Sequence, residues 1–128
     1  MAILTVLRSG HWPSLAGAWL HLTVSFMVWL LIGAMSIALA LDLQLSDQQV
    51  GWLVALPLLG GAGVRILAGW SADWLGARPT ALAILLAELA VLLWGWLGVS
   101  GYHEALVFAL FLGVAGASFA VSLPIAGR

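Results

Sequence analysis

Arg65 is the residue on which any chemistry in this sequence has to be built. It lies in GGAGVRILAGW, residues 60–70, where every other side chain is glycine, alanine, aliphatic or tryptophan. A guanidinium keeps its proton in proteins and presents a planar fork of N–H donors. Set in an apolar run, it must hold a group of its own protein or an anion from outside. At three, four and seven positions along a helix its neighbours are Leu58, Gly61, Ala62, Ala68, Gly69 and Ala72. All but Leu58 are small, which lets another helix approach closely or leaves room beside the guanidinium. Glu88 is the other ionisable residue placed deep in an apolar stretch. A Glu88–Arg65 ion pair is therefore the internal alternative to a bound anion. Glu88 is also a candidate proton-coupling group, although a helix-to-helix hydrogen bond is its plainer role.

Other chemistries find no support. His11, His21 and His103 are isolated, without metal-ligand spacing, so no metal site is expected. There is no serine–histidine–acid arrangement, no glycine-rich phosphate loop and no pair of catalytic carboxylates. An enzyme or a cofactor-binding protein is not indicated. Cysteine is absent, which removes disulfides and thiolate ligands. The net charge of −1 gives no basic field for nucleic acid.

A second group of polar residues lies in GWSADWLGARPT, residues 69–80, which supplies Gly69, Asp73, Gly76 and Arg78. Gly76 suits a tight turn, Asp73 a helix cap, and Arg78 a carboxylate or carbonyl at one membrane face.

The elements that carry these residues follow from composition. Of the 128 residues, 64% are hydrophobic and 7% charged, against roughly 25% charged in a soluble domain. The chain is too apolar to cover itself with a polar surface and belongs in a lipid bilayer. Four apolar stretches reach the roughly 20 residues needed to span it: about 15–41, 49–72, 80–98 and 104–125. Ser46 and Gln49 have capping-box spacing, Pro79 suits the first turn of a helix, and Pro57 predicts a bend in the second span. Arg8, Arg78 and Arg128 fall on one side when the spans alternate, whereas Asp42, Asp47 and Glu104 fall on the other. This places the N-terminus in the cytoplasm, with the first span an uncleaved anchor. Trp12, Trp19, Trp70 and Trp74 would mark the inner interface; Trp52, Trp94, Trp96 and Tyr102 the outer.

Insertion tolerates the arginine. A charge at mid-membrane costs ~2.5–3.5 kcal/mol, and about nine Leu, Ile and Val residues in the second span each return ~0.3–0.6 kcal/mol. The penalty still calls for a partner.

The loop at 69–80 resembles the one between the second and third helices of the major facilitator superfamily, broadly G-x-x-x-D-R-x-G-x-[RK]. Trp74 stands where that pattern usually has arginine. Around it, SGHWPSL, VALPLLGGAGVR and GVAGASFAVSLPIAGR resemble the nitrate/nitrite porter branch of the superfamily. The resemblance covers nearly all of this chain but only the first third of such a transporter. It implies an all-α polytopic fold, with these spans equivalent to helices 1–4 of twelve and residues 1–128 an incomplete N-terminal domain in the plasma (inner) membrane. It also implies a nitrate or nitrite anion held by Arg65, with Phe119 packed on the flat anion. Gly69, Asp73, Gly76 and Arg78 would serve as a conformational latch. A second arginine would come from C-terminal helices beyond these residues, so the piece alone is not expected to transport. Gly113, Gly116, Ala117 and Ala120 read as a close-packing face, and Ser118 and Ser122 as back-bonding to their own helix. Two readings compete: a self-associating four-helix exporter of the small multidrug type, using Glu88 as a shared site, and a non-transporting membrane subunit. A different small anion is the alternative within the superfamily.

Overall fold

The computed structural model of the chain describes residues 12–126. Arg8, His11 and Arg128, on which part of the orientation argument and the start of SGHWPSL depend, lie outside them. The described residues form helices joined by short connections: α1 (Trp12–Asp42), α2 (Asp47–Leu75), α3 (Ala77–Gly98), α4 (Tyr102–Leu112), a 3-10 segment (Gly113–Ala117) and α5 (Ser118–Ala126). The last three run on as one crossing, Tyr102–Ile125, so four stretches are long and apolar enough to cross a membrane.

Helix limits follow from local chemistry. Ser46 accepts from the Gln49 amide at 3.4 Å while Gln49 Oε1 accepts from the Ser46 amide at 2.9 Å, closing the expected capping box at the start of α2. The helix continues unbroken through Pro57. It ends where Gly76 adopts a φ of +96° and donates its N–H to Ala72. That backbone region strains any residue with a Cβ, so the turn between α2 and α3 is a single glycine. The next helix begins at Ala77, three residues before the apolar pattern placed it, with Pro79 in its first turn. At the start of α4 the Ser100 amide and hydroxyl both donate to Glu104 Oε2, at 2.6 and 2.9 Å.

The fourth crossing is central. More than half of its most apolar window is buried, against less than a fifth in each other span. Two apolar clusters pack along it. One gathers Ile32, Leu53, Ala105, Phe108, Ala109 and Leu112; the other Ala68, Ala77, Ala81, Ile84, Ala117 and Val121. The outward faces are also apolar: Trp74, Trp96 and Leu97 are each at least 80% exposed. Such a surface suits hydrocarbon as solvent, because the helices satisfy their backbone polar groups internally. The chain is a multi-pass, all-helical membrane protein.

Candidate anion site on the second helix

The site begins with glycine, because glycine lets α2 and the fourth crossing touch backbone to backbone. A Cβ on Gly113 would lie 2.5 Å from Gly61 N and 2.7 Å from Pro57 O. One on Gly61 would lie 3.1 Å from Gly113 O, and one on Gly60 would collide with Leu110 O. Trp29 of α1 closes the third side, donating its indole N–H to the Pro57 carbonyl at 3.2 Å. This crossing brings the backbone of Gly116 to Arg65, one helical turn beyond Gly61.

Arg65 donates through Nη2 to the Gly116 carbonyl at 3.2 Å, and its guanidinium carbon stands 5.7 Å from the centre of the Phe119 ring. Both contacts hold the cation in place without neutralising it. A carbonyl is a dipole, and an aromatic face offers about 0.5–2 kcal/mol to a cation. The remaining guanidinium donors are directed to no side chain among the described residues, and the outer side of Arg65 is exposed. Behind Phe119 the aromatic surface continues. Phe26 meets it edge-on at 6.0 Å, and Trp29 meets Phe26 at 5.7 Å. The two site residues expected from sequence, Arg65 and Phe119, are thus brought together.

The 69–80 segment is more helical than a loop. Gly69 and Asp73 lie in the last turns of α2, Gly76 is the turn itself, and Arg78 lies in the first turn of α3. Asp73 and Arg78 are exposed. No side-chain hydrogen bond caps α3, so Asp73 is not the cap its position suggested. Thr80 Oγ1 instead donates back to the Gly76 carbonyl at 2.9 Å.

A "probable nitrate/nitrite transporter NarK2" of Mycobacterium tuberculosis is 44% identical over 107 residues, covering 82% of this chain and 27% of that protein. A "probable nitrate/nitrite antiporter NarK1" of Thermus thermophilus is 34% identical over 104 residues, covering 81% of this chain and 23% of the relative. A "nitrite extrusion protein" of Bacillus subtilis is 29% identical over 104 residues, with 81% and 26% covered. The chain belongs to the nitrate/nitrite porter family. It spans about a quarter of the length of the curated relatives it matches. No family model and no solved structure matches it.

The remaining polar residues of this porter chain depart from expectation. Ser118 and Ser122 do not back-bond. Ser122 reaches across to His21 Nδ1 of α1 at 3.3 Å, and the Ser118 hydroxyl, wholly buried, has no partner. His21 is itself buried, and its Nε2 lies 3.2 Å from the Ala81 carbonyl. A carbonyl only accepts, so Nε2 carries the proton and Nδ1 accepts from Ser122 in the neutral ring. His21 thereby joins α1, α3 and α5, a role its isolation in sequence did not reveal. Glu88 does not meet Arg65. It is 4% exposed, turned toward Ser25 of α1, and its Oε1 has no hydrogen-bond partner, so the expected helix-to-helix bond is missing at that atom. Among the described residues no group of His, Asp and Glu is arranged to hold a metal ion.

Proposed function

We propose that this chain supplies the first four helices of a nitrate/nitrite transporter and that Arg65 and Phe119 form its half of the anion site. The observation that carries the reading is the state of Arg65, anchored by a carbonyl and an aromatic face while its charge meets no carboxylate among the described residues. Nitrate and nitrite are flat, monovalent and weakly hydrated, so they suit a planar guanidinium fork beside a ring. The apolar walls strengthen such a charge-assisted contact relative to water. Helices elsewhere in a full-length transporter would bring a second cation and seal the exposed side of Arg65, and the four spans alone do not transport. The open surroundings of Gly69, where a Cβ would meet nothing within 4 Å, leave space for such helices to approach.

In this reading the two halves rock about the midplane site. The turn formed by Gly69, Asp73, Gly76 and Arg78 latches one state, with Asp73 and Arg78 free to meet the other half. The N-terminus is cytoplasmic and the protein resides in the plasma (inner) membrane. The exporter reading is weakened by Glu88, which is buried within its own bundle rather than offered to a second copy.

The test is substitution of Arg65 in a full-length transporter carrying these residues. Hydrogen bonds to charged groups are worth about 1.5–3 kcal/mol, and Arg65→Lys loses the fork but keeps the charge. Apparent affinity for nitrate or nitrite should fall about 10- to 150-fold with membrane insertion unchanged. Normal uptake by that variant contradicts the assignment. Competition by formate and chloride decides whether the site takes another small anion.

A further inference from the structure

Away from Arg65, three polar side chains with unpartnered atoms lie buried on α1, α3 and α5. Glu88 is 4% exposed, and Ser25 and Ser118 are wholly buried. Glu88 Oε1 and both hydroxyl oxygens lack partners. Three unsatisfied polar atoms in an otherwise apolar core are costly, at about 1–3 kcal/mol each. Their placement relative to one another follows from the helices. His21 and Ser25 are one turn apart on α1, as are Ser122 and Ser118 on the fourth crossing, and the His21–Ser122 bond ties the lower members of both pairs together. On α3, Ala81 meets His21 and Glu88 lies two turns further on, beside Ser25.

We infer that Glu88, Ser25 and Ser118 form a buried proton-binding site, reached from the Arg78 end of the bundle past His21. A carboxylate here has the Ser25 hydroxyl beside it, Ser118 on the facing helix, and no ion-paired cation among the described residues. The charged and titratable groups on the surrounding elements are His21 and Asp42 on α1, Arg65, Asp47 and Asp73 on α2, Arg78 on α3, and Tyr102, His103 and Glu104 on α4. Arg65 is turned to Gly116 and Phe119, while Asp42, Asp47, Asp73, Arg78, His103 and Glu104 stand exposed near helix ends. His21 lies one turn from Ser25 on α1, at the end of the helix bundle that carries Arg78. It lines a cavity of about 390 Å³ together with Ser14, Gly17, Arg78 and Ala81. A proton arriving from water in that cavity converts the Glu88 carboxylate to the neutral acid. The acid then donates its new O–H to a serine hydroxyl, and that hydroxyl gains a donor it otherwise lacks. Loss of the proton returns it to the same cavity and leaves an uncompensated charge among three helices. The packing of α1, α3 and α5 is thereby linked to one proton. This site is independent of the anion reading.

The chain reconstituted in lipid nanodiscs provides the test. Infrared spectra at neutral pH should contain the C=O stretch of a protonated carboxylic acid, lost in Glu88→Gln and shifted in frequency by Ser25→Ala and Ser118→Ala. A lipid-soluble carbodiimide, which attacks protonated carboxyls, should modify Glu88, with labelling falling as pH rises. Asp42, Asp47, Asp73 and Glu104 are exposed and serve as internal references in the mass spectrum. His21→Phe should slow the change in the C=O band after a pH jump without altering its end point. Labelling needs no variant, so it decides the matter even where Glu88→Gln misfolds. A spectrum without the band, a band retained in Glu88→Gln, or labelling that sodium suppresses and pH does not would overturn the proposal. The sodium result would mark a metal-cation site in its place.

Discussion

A single methyl group at Gly113 should separate α2 from the fourth crossing. In Gly113→Ala the new carbon starts 2.5 Å from Gly61 N and 2.7 Å from both Gly60 C and Pro57 O, all backbone atoms that no rotamer change can move. Ordinary contact begins near 3.4 Å, so the helices must part by most of that difference. Overpacking of this kind costs about 1–3 kcal/mol. The same movement draws the Gly116 carbonyl away from Arg65, whose 3.2 Å bond has little slack. Gly63→Ala is the matched control. It lies on the same helix as Gly61, a Cβ there meets nothing within 4 Å, and replacing a helical glycine should be neutral or stabilise by up to about 1 kcal/mol. Reversible denaturation in detergent, followed by circular dichroism, should therefore lower the midpoint of Gly113→Ala and leave that of Gly63→Ala unchanged or raised. Equal shifts, or a stable Gly113→Ala, would refute the claim that backbone contact at this crossing holds the bundle.

Three further outcomes follow from the geometry. Gly76→Ala forces a Cβ into a φ of +96° and should cost about 1–2 kcal/mol, measured by the same denaturation, with the damage localised by faster hydrogen exchange at the α2–α3 junction. Phe119→Leu removes the ring facing Arg65. In a full-length transporter it should weaken anion binding by about 2- to 30-fold, the equivalent of about 0.5–2 kcal/mol, with no effect on expression. Trp29→Phe keeps the aromatic bulk but deletes the donor to Pro57. It should destabilise the chain by about 1 kcal/mol, and a variant as stable as the parent would show that bond to be idle.

Much of the architecture was legible because bilayer-spanning segments are defined by length and apolarity, which a sequence displays directly. The capping box at Ser46 and Gln49 was equally readable, since both partners lie within one turn. Boundaries shifted by two or three residues where polar residues such as Asp47 and Arg78 still wind into helix. Arg65 drew attention because a charge in an apolar run has few excuses, and Phe119 was paired with it by family resemblance rather than by spacing. Trp29 escaped notice because tryptophan usually anchors at interfaces, whereas this one serves a carbonyl inside the bundle. The partnership of His21 with Ser122 links residues 101 positions apart, and no local pattern encodes it. Asp73 suggested a cap, but the one-residue turn at Gly76 leaves it on the preceding helix.

The five residues Gly113–Ala117 wind as a 3-10 helix in the middle of the fourth crossing. Such winding advances each residue by about 120° rather than 100°. Over five residues the difference grows to about a quarter turn, with about 2.5 Å of added length. Phe119, just beyond, therefore points in a direction that a uniform α-helix would not give it. Rewinding this short stretch would swivel the ring off the guanidinium and turn Ser122, bonded to His21, along with it. The glycine-rich segment thus sets the angle at which the Phe119 ring meets Arg65.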